Sequence, residues 1–191
     1  MKAAIVTSLI GASARTTMEP SVAPHSSKTS SWAREASLVV AAAPGHKHVT
    51  VQLKVDAAAQ RTLETVFWAV SDPDHEDYGK HLTIEQVRDV LAVPDARVEK
   101  VSAFFREHCG AGSVTVAPHR DVLGVDCAVP ALERALQTEI ASFVHKERPE
   151  VKVLRAAKPY SLPADVAEEV VMVGELHQFP ALRRKDLEDI Q

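Results

Sequence analysis

From Val49 to Val55 the chain alternates: Val49, Val51, Leu53 and Val55 are separated by Thr50, Gln52 and Lys54. A period of two predicts a half-buried strand. The period then lengthens, because Leu63, Val66, Phe67 and Val70 share one face of a helix. Residues 71–81 are polar and contain Pro73 and Gly79, which predicts a loop. Thr83 followed by Gln86 has the form of a capping box, with Leu82 and Val87 as its staple, so a second helix is expected to about Ala92. Pro94 suits the first turn of a third helix, whose Val98, Val101 and Phe105 share a face until Gly110 stops it.

Beyond Gly110 the spacing predicts strands over 113–117 and 121–128 around a turn at Pro118-His119-Arg120. Pro130 opens a helix through Leu136. A strand over 140–146 then pairs with one over 151–155 across a turn at Arg148-Pro149. A short helix from Pro163 and a strand over 170–173 complete the series. With the extra helices set aside, the order is strand-helix-strand-strand-helix-strand. That is an α+β, ferredoxin-like split βαβ plan, with an antiparallel sheet and helices on one face. The opposite sheet face is left for solvent or a partner.

The 191 residues allow one domain with tails. Residues 15–31, rich in Ser, Thr, Pro and Ala without a hydrophobic period, read as a flexible lead-in, so 1–31 is set apart from a domain over 32–180. Residues 181–191 form a charged linker carrying Arg183, Arg184 and Lys185. At the N-terminus, Lys2 precedes a mildly apolar run, and Ala12-Ser13-Ala14 has the small-x-small form of a signal-peptidase site. A secretory signal and an unstructured tail both fit it. No segment reaches the about 18 apolar residues of a membrane span.

A net charge of −4 gives no reason to expect nucleic-acid binding. The predicted strands also lack the aromatic pair with which an RNA-binding sheet of this plan stacks bases. The chain shows no Gly-x-Ser-x-Gly elbow, His-Glu-x-x-His or Walker loop, and no nucleophile-base pair. Asp72, Asp74, His75, Glu76 and Asp77 lack the fixed acidic positions, central Gly and terminal Glu of an EF-hand, so a solvated acidic loop is preferred to a metal site. Cys109 and Cys127 fall near a helix end and a strand end, where one bridge is geometrically possible; two small buried hydrophobes is the preferred reading. Nine histidines are scattered along the chain and as a group would charge between pH 7 and 5.

Three ordered motifs remain. The first is Val70-Ser71-Asp72-Pro73, with His75, Tyr78-Gly79-Lys80 and Leu82-Thr83 before a helix. The second is Pro159-Tyr160-x-Leu162-Pro163, and the third is Gly174-x-Leu176-His177-x-Phe179-Pro180. Together they resemble the activation domain of the sedolisin (pro-kumamolisin) serine peptidases, especially the branch of the lysosomal tripeptidyl peptidases, over about residues 32–180. The resemblance implies a prosegment, not an enzyme in its own right, which helps a catalytic domain fold, blocks it, and is removed by acid-triggered cleavage in the linker. Catalytic Ser, Glu and Asp, and a calcium site, are expected only in that absent catalytic domain. No cofactor, nucleic acid or membrane is expected for this chain; its partner is the catalytic domain, in cis or in trans. A stand-alone inhibitor acting in trans is the alternative. The implied location is the secretory pathway, lysosomal or extracellular. Related prosegments carry a cysteine pair at a shorter separation, with which Cys109 does not align. His75, His81 and His177 are the expected pH-sensing residues at the docking face.

Overall fold

The computed structural model describes residues 14–19, 31–35, 45–91 and 93–180. Two short strands, β1 (Arg15–Met18) and β2 (Trp32–Arg34), precede the long strand β3 (His46–Leu53). Three helices follow: α1 (Ala57–Ser71), α2 (Ile84–Leu91) and α3 (Asp95–Cys109). Next come β4 (Val114–Val116), β5 (Val122–Ala128), α4 (Val129–Leu136), β6 (Ile140–His145) and β7 (Arg148–Ala156). The described chain closes with β8 (Tyr160–Pro163), α5 (Ala164–Ala167) and β9 (Val170–Gly174).

The four-stranded sheet has the order β4-β5-β3-β9 and is antiparallel throughout. Numbered by the split βαβ plan this is 2-3-1-4, the ferredoxin-like arrangement, with β9 as its last strand. Between α4 and β9 the chain inserts β6, β7, β8 and α5. The β6–β7 hairpin pairs with β2 in a three-stranded sheet, and β8 pairs with β1.

Alternation drives the central packing. Val49, Val51 and Leu53 of β3 join Leu123 and Val125 of β5, Val101 and Phe105 of α3, and Leu132 and Leu136 of α4 in one buried cluster. Fully burying such a side chain contributes roughly 1.5–3 kcal/mol. Lys47 shares their parity, and burial, then the nearby Arg155, pushes its ammonium down to about 8 against the pull of Glu175. A smaller cluster gathers Trp32, Phe143 and Ala157 with Phe179 packed against them.

Local chemistry sets the boundaries. At the start of α2 the Thr83 N–H donates to Gln86 Oε1 at 2.8 Å, and the Gln86 N–H donates to Thr83 Oγ1 at 3.3 Å, the expected reciprocal box. Gly110 ends α3 at φ +103°, a backbone angle that favours glycine. The start of α3 is tied to the turn before β9 and to the N-cap of α1: Arg97 bonds Glu169 at 2.5 Å and Asp56 at 2.9 Å, and Lys100 bonds Glu169 at 3.3 Å. Burial pushes the Glu169 carboxyl up, but the Arg97 and Lys100 hydrogen bonds outweigh it and hold the pKa low.

Three expectations are corrected, and one strand is added. Cys109 and Cys127 form a disulfide, because the last turn of α3 crosses β5 with the two Cα atoms 5.0 Å apart. The flexible lead-in contributes β1, since residues 15–18 find backbone partners on β8. Tyr160–Pro163 is itself a strand. The β6–β7 turn lies at Lys146-Glu147, leaving Arg148 and Pro149 inside β7; β7 is an edge strand, where a proline without an N–H is tolerated. The signal-like run over 1–13 and the linker over 181–191 lie outside the described residues.

The bridge closes a loop of 18 residues. Replacing both cysteines by Ala is expected to lower the unfolding free energy by about 3 kcal/mol, read from urea denaturation of both forms.

Candidate docking face and C-terminal exit

The residues of β3 that do not enter the core, His46, His48, Thr50 and Gln52, all turn to the opposite face of the sheet. No described helix covers that face. At its centre, register places Thr50 between Gly124 of β5 and Gly174 of β9, and Thr115 of β4 beyond Gly124. The row Thr115-Gly124-Thr50-Gly174 therefore crosses all four strands with no side chain larger than threonine. A Cβ on Gly124 would meet His48 Cε1 at 3.1 Å, and one on Gly174 would meet the Thr50 carbonyl at 3.4 Å. On one side of this trough His48 Nδ1 lies 3.2 Å from the Asp126 carboxylate. On the other stand Gln52, Val122 and Met172. A flat, side-chain-poor strip lets a partner's backbone approach closely.

After β9 the chain is held to its exit. The Ala156 N–H donates to the Leu176 carbonyl at 2.8 Å, and the Arg155 Nε–H donates to the Gln178 carbonyl. Phe179 packs on Trp32 at 5.5 Å and Phe143 at 5.0 Å between ring centroids, with the Arg155 guanidinium 5.9 Å over its ring. Pro180, the last described residue, is exposed.

The third motif is thus a structural device. Gly174 belongs to the trough, Leu176 and His177 are buried, and Phe179 fixes the exit. In the second motif Pro159 is exposed, Leu162 is buried, Pro163 precedes α5, and the Tyr160 hydroxyl accepts a hydrogen bond from the Val173 N–H at 2.8 Å. Burial raises the Tyr160 pKa, Val173 opposes that, and the neighbouring Glu19 adds to it. His177 stacks on the Tyr160 ring at 5.6 Å, and its Nε2 is buried with no hydrogen-bond partner among the described residues.

The first motif builds the α1–α2 connector. Asp72 Oδ1 accepts from the Asp74 N–H at 3.0 Å, and His75 Nδ1 accepts from the Asp77 N–H at 3.1 Å. Lys80 bonds Asp77 at 2.9 Å, and the Gly79 N–H, at φ +74°, returns to the Val70 carbonyl. Pro73 sits in the turn, Tyr78 and His81 are exposed, and Leu82 is half-buried. Among the described residues no three His, Cys, Asp or Glu side chains converge as a metal site requires.

The three expected pH sensors therefore separate. His75 and His81 sit on the connector and His177 is inside the domain; none lies on the open sheet face. The histidines on that face are His46 and His48. Their polar parity with Thr50 and Gln52 was the signal available in the sequence.

A family described as "Pro-kumamolisin, activation domain" matches residues 35–179. The chain belongs to this family. Physarolisin of Physarum polycephalum is 30% identical over 135 residues, 71% of this chain and 23% of its own length. Human tripeptidyl-peptidase 1 is 32% identical over 120 residues, 62% of this chain and 21% of its own. A probable tripeptidyl-peptidase SED3 of Arthroderma benhamiae is 27% identical over 131 residues, 69% of this chain and 22% of its own. The chain thus spans about a fifth of the length of the curated relatives it matches, and it is the activation domain of sedolisin-family proenzymes to which it corresponds.

Burial lowers the His177 pKa, with Glu19 partly opposing. A folded-state value below the unfolded one, about 6.5, means the unfolded chain takes up the proton first as pH falls. Stability is therefore present at neutral pH and is lost as pH drops through about 6.5. His177→Gln is expected to flatten the fall in melting temperature between pH 7 and 5, as followed by circular dichroism. Tyr160→Phe leaves the Val173 N–H unpaired and is expected to cost about 1–3 kcal/mol at every pH in that range, by urea unfolding.

Proposed function

We propose that this chain is the prosegment of a sedolisin-type serine peptidase, an intramolecular chaperone and inhibitor of a catalytic domain on the same polypeptide. The observation that carries the reading is the uncovered sheet face with its Thr-Gly trough, joined by β9 and the Phe179 clamp to a fixed exit. A catalytic domain seated on that face would bury it, and the segment after Pro180 would run on into the substrate cleft. Template-like burial of the sheet assists folding of the partner, and occupation of the cleft inhibits it.

Acid release follows from the same parts. Protonating His177 destabilises the third motif three residues before the exit, and cleavage then falls in the linker, for which Arg183, Arg184 and Lys185 are the candidate residues. A disulfide fits the oxidising secretory pathway, with a lysosomal or extracellular destination. Among the described residues no helix is long and apolar enough to cross a membrane.

The test is inhibition, at pH 7 and pH 4, of the mature peptidase released from the full-length product by the purified 191-residue chain. Inhibition at pH 7 that fades at pH 4 is expected. Thr50→Arg, at the centre of the trough, is expected to weaken inhibition at least tenfold while the melting curve stays put. Equal inhibition by Thr50→Arg would remove the sheet face from the mechanism.

A further inference from the structure

The apolar surface most exposed among the described residues is not on the sheet. Phe67, Trp68, Tyr78 and Ile84 are 56–67% exposed, and all four belong to α1, α2 or their connector. Of the whole of α1 only Val70 is buried, and α2 buries no residue. Phe67 and Trp68 stand edge to face at 5.3 Å, and Trp68 overhangs a hollow of about 660 Å³ lined by Thr65, Ala69, Ser71, Asp72 and His75. A contiguous patch built from two large aromatics marks an interaction surface, and tryptophan is the residue most often found as an interface anchor.

Charge says what kind of partner fits. Residues 57–91 contain three basic residues, Arg61, Lys80 and Arg88, against seven acidic ones, which leaves −4. The whole chain also carries −4, so the rest of it is neutral and all the excess lies on this hairpin. A second copy would bring the same negative charge to the patch, and an anionic lipid surface would be repelled likewise. The occupant must therefore be basic around an apolar recess. The relatives' remaining length, roughly four-fifths of each chain, supplies a tethered partner at high effective concentration.

We infer that the α1–α2 hairpin is a second docking surface, separate from the sheet trough, on which Phe67 and Trp68 enter an apolar recess rimmed by basic residues on the catalytic domain of the same proenzyme. This rests on the prosegment reading above. It gives the acidic connector a role the sheet cannot fill, since steering by long-range charge speeds and orients docking while the aromatics hold it.

The experiment compares inhibition constants, at pH 7, for the wild-type 191-residue chain, Phe67→Ala/Trp68→Ala and Asp74→Lys/Glu76→Lys, against the peptidase released from the full-length product. All four side chains are exposed, so melting curves are expected to match the wild type. Each double variant is expected to weaken inhibition at least tenfold. In 1 M NaCl, where screening acts within about 3 Å, the wild type is expected to approach the lysine variant while the alanine variant stays weaker than both. Inhibition within twofold of wild type for both variants overturns the hairpin surface and leaves the sheet reading standing. No inhibition by the wild-type chain, or a gene product with no catalytic domain, overturns both. A wild-type dimer in sedimentation that Phe67→Ala/Trp68→Ala dissolves would assign the patch to a second copy and overturn the inference.

Discussion

A sheet with helices on one side only must find a second cover or keep its other side polar, and β3 is where this constraint is set. Its alternate residues place Val49, Val51 and Leu53 under α3 and α4 and send His48, Thr50 and Gln52 outward. Because β5 and β9 pair with it on either side, their registers inherit the division. Gly124 and Gly174 then fall beside Thr50, and the outward face becomes a shallow strip rather than a bristle of side chains. A one-residue slip would reverse every one of these positions.

The second organising feature is the convergence of distant segments on Tyr160 and Phe179. Tyr160 lies on β8, which pairs with β1; its hydroxyl holds Val173 of β9, and its ring carries His177. Phe179 rests on Trp32 of β2. The chain's beginning thus braces its exit, although β1 and β2 precede the family-matched residues 35–179. His177, whose Nε2 has no hydrogen-bond partner among the described residues, sits within this brace, and because burial lowers its pKa, its protonation weakens the fold locally.

Legibility in the sequence followed the range of the interaction. The β3 period, the Thr83–Gln86 box and the Gly110 stop depend on neighbours a few residues away, and each was readable. Residues 15–18 have no strand period, because β1 exists through its pairing with β8 and not through its own preference. The cysteine bridge depended on how α3 crosses β5, which spacing does not encode. The same holds for the trough: Thr50, Gly124 and Gly174 are ordinary residues until register sets them side by side. The three motifs fall on the α1–α2 connector, on β8 and on β9 with the segment after it; His75, His81 and His177 share no surface, whereas His46 and His48 could have been assigned to the open face by parity alone.

The central claim is that this domain is made as one part of a longer proenzyme whose catalytic domain covers it. The direct measurement is the size of the newly made polypeptide, pulse-labelled in native cells and captured with an antibody to residues 46–180. The account predicts a first product several-fold larger than 20.7 kDa that later yields a band near that mass as pH falls along the secretory route. A newly made product that never exceeds 20.7 kDa would contradict it.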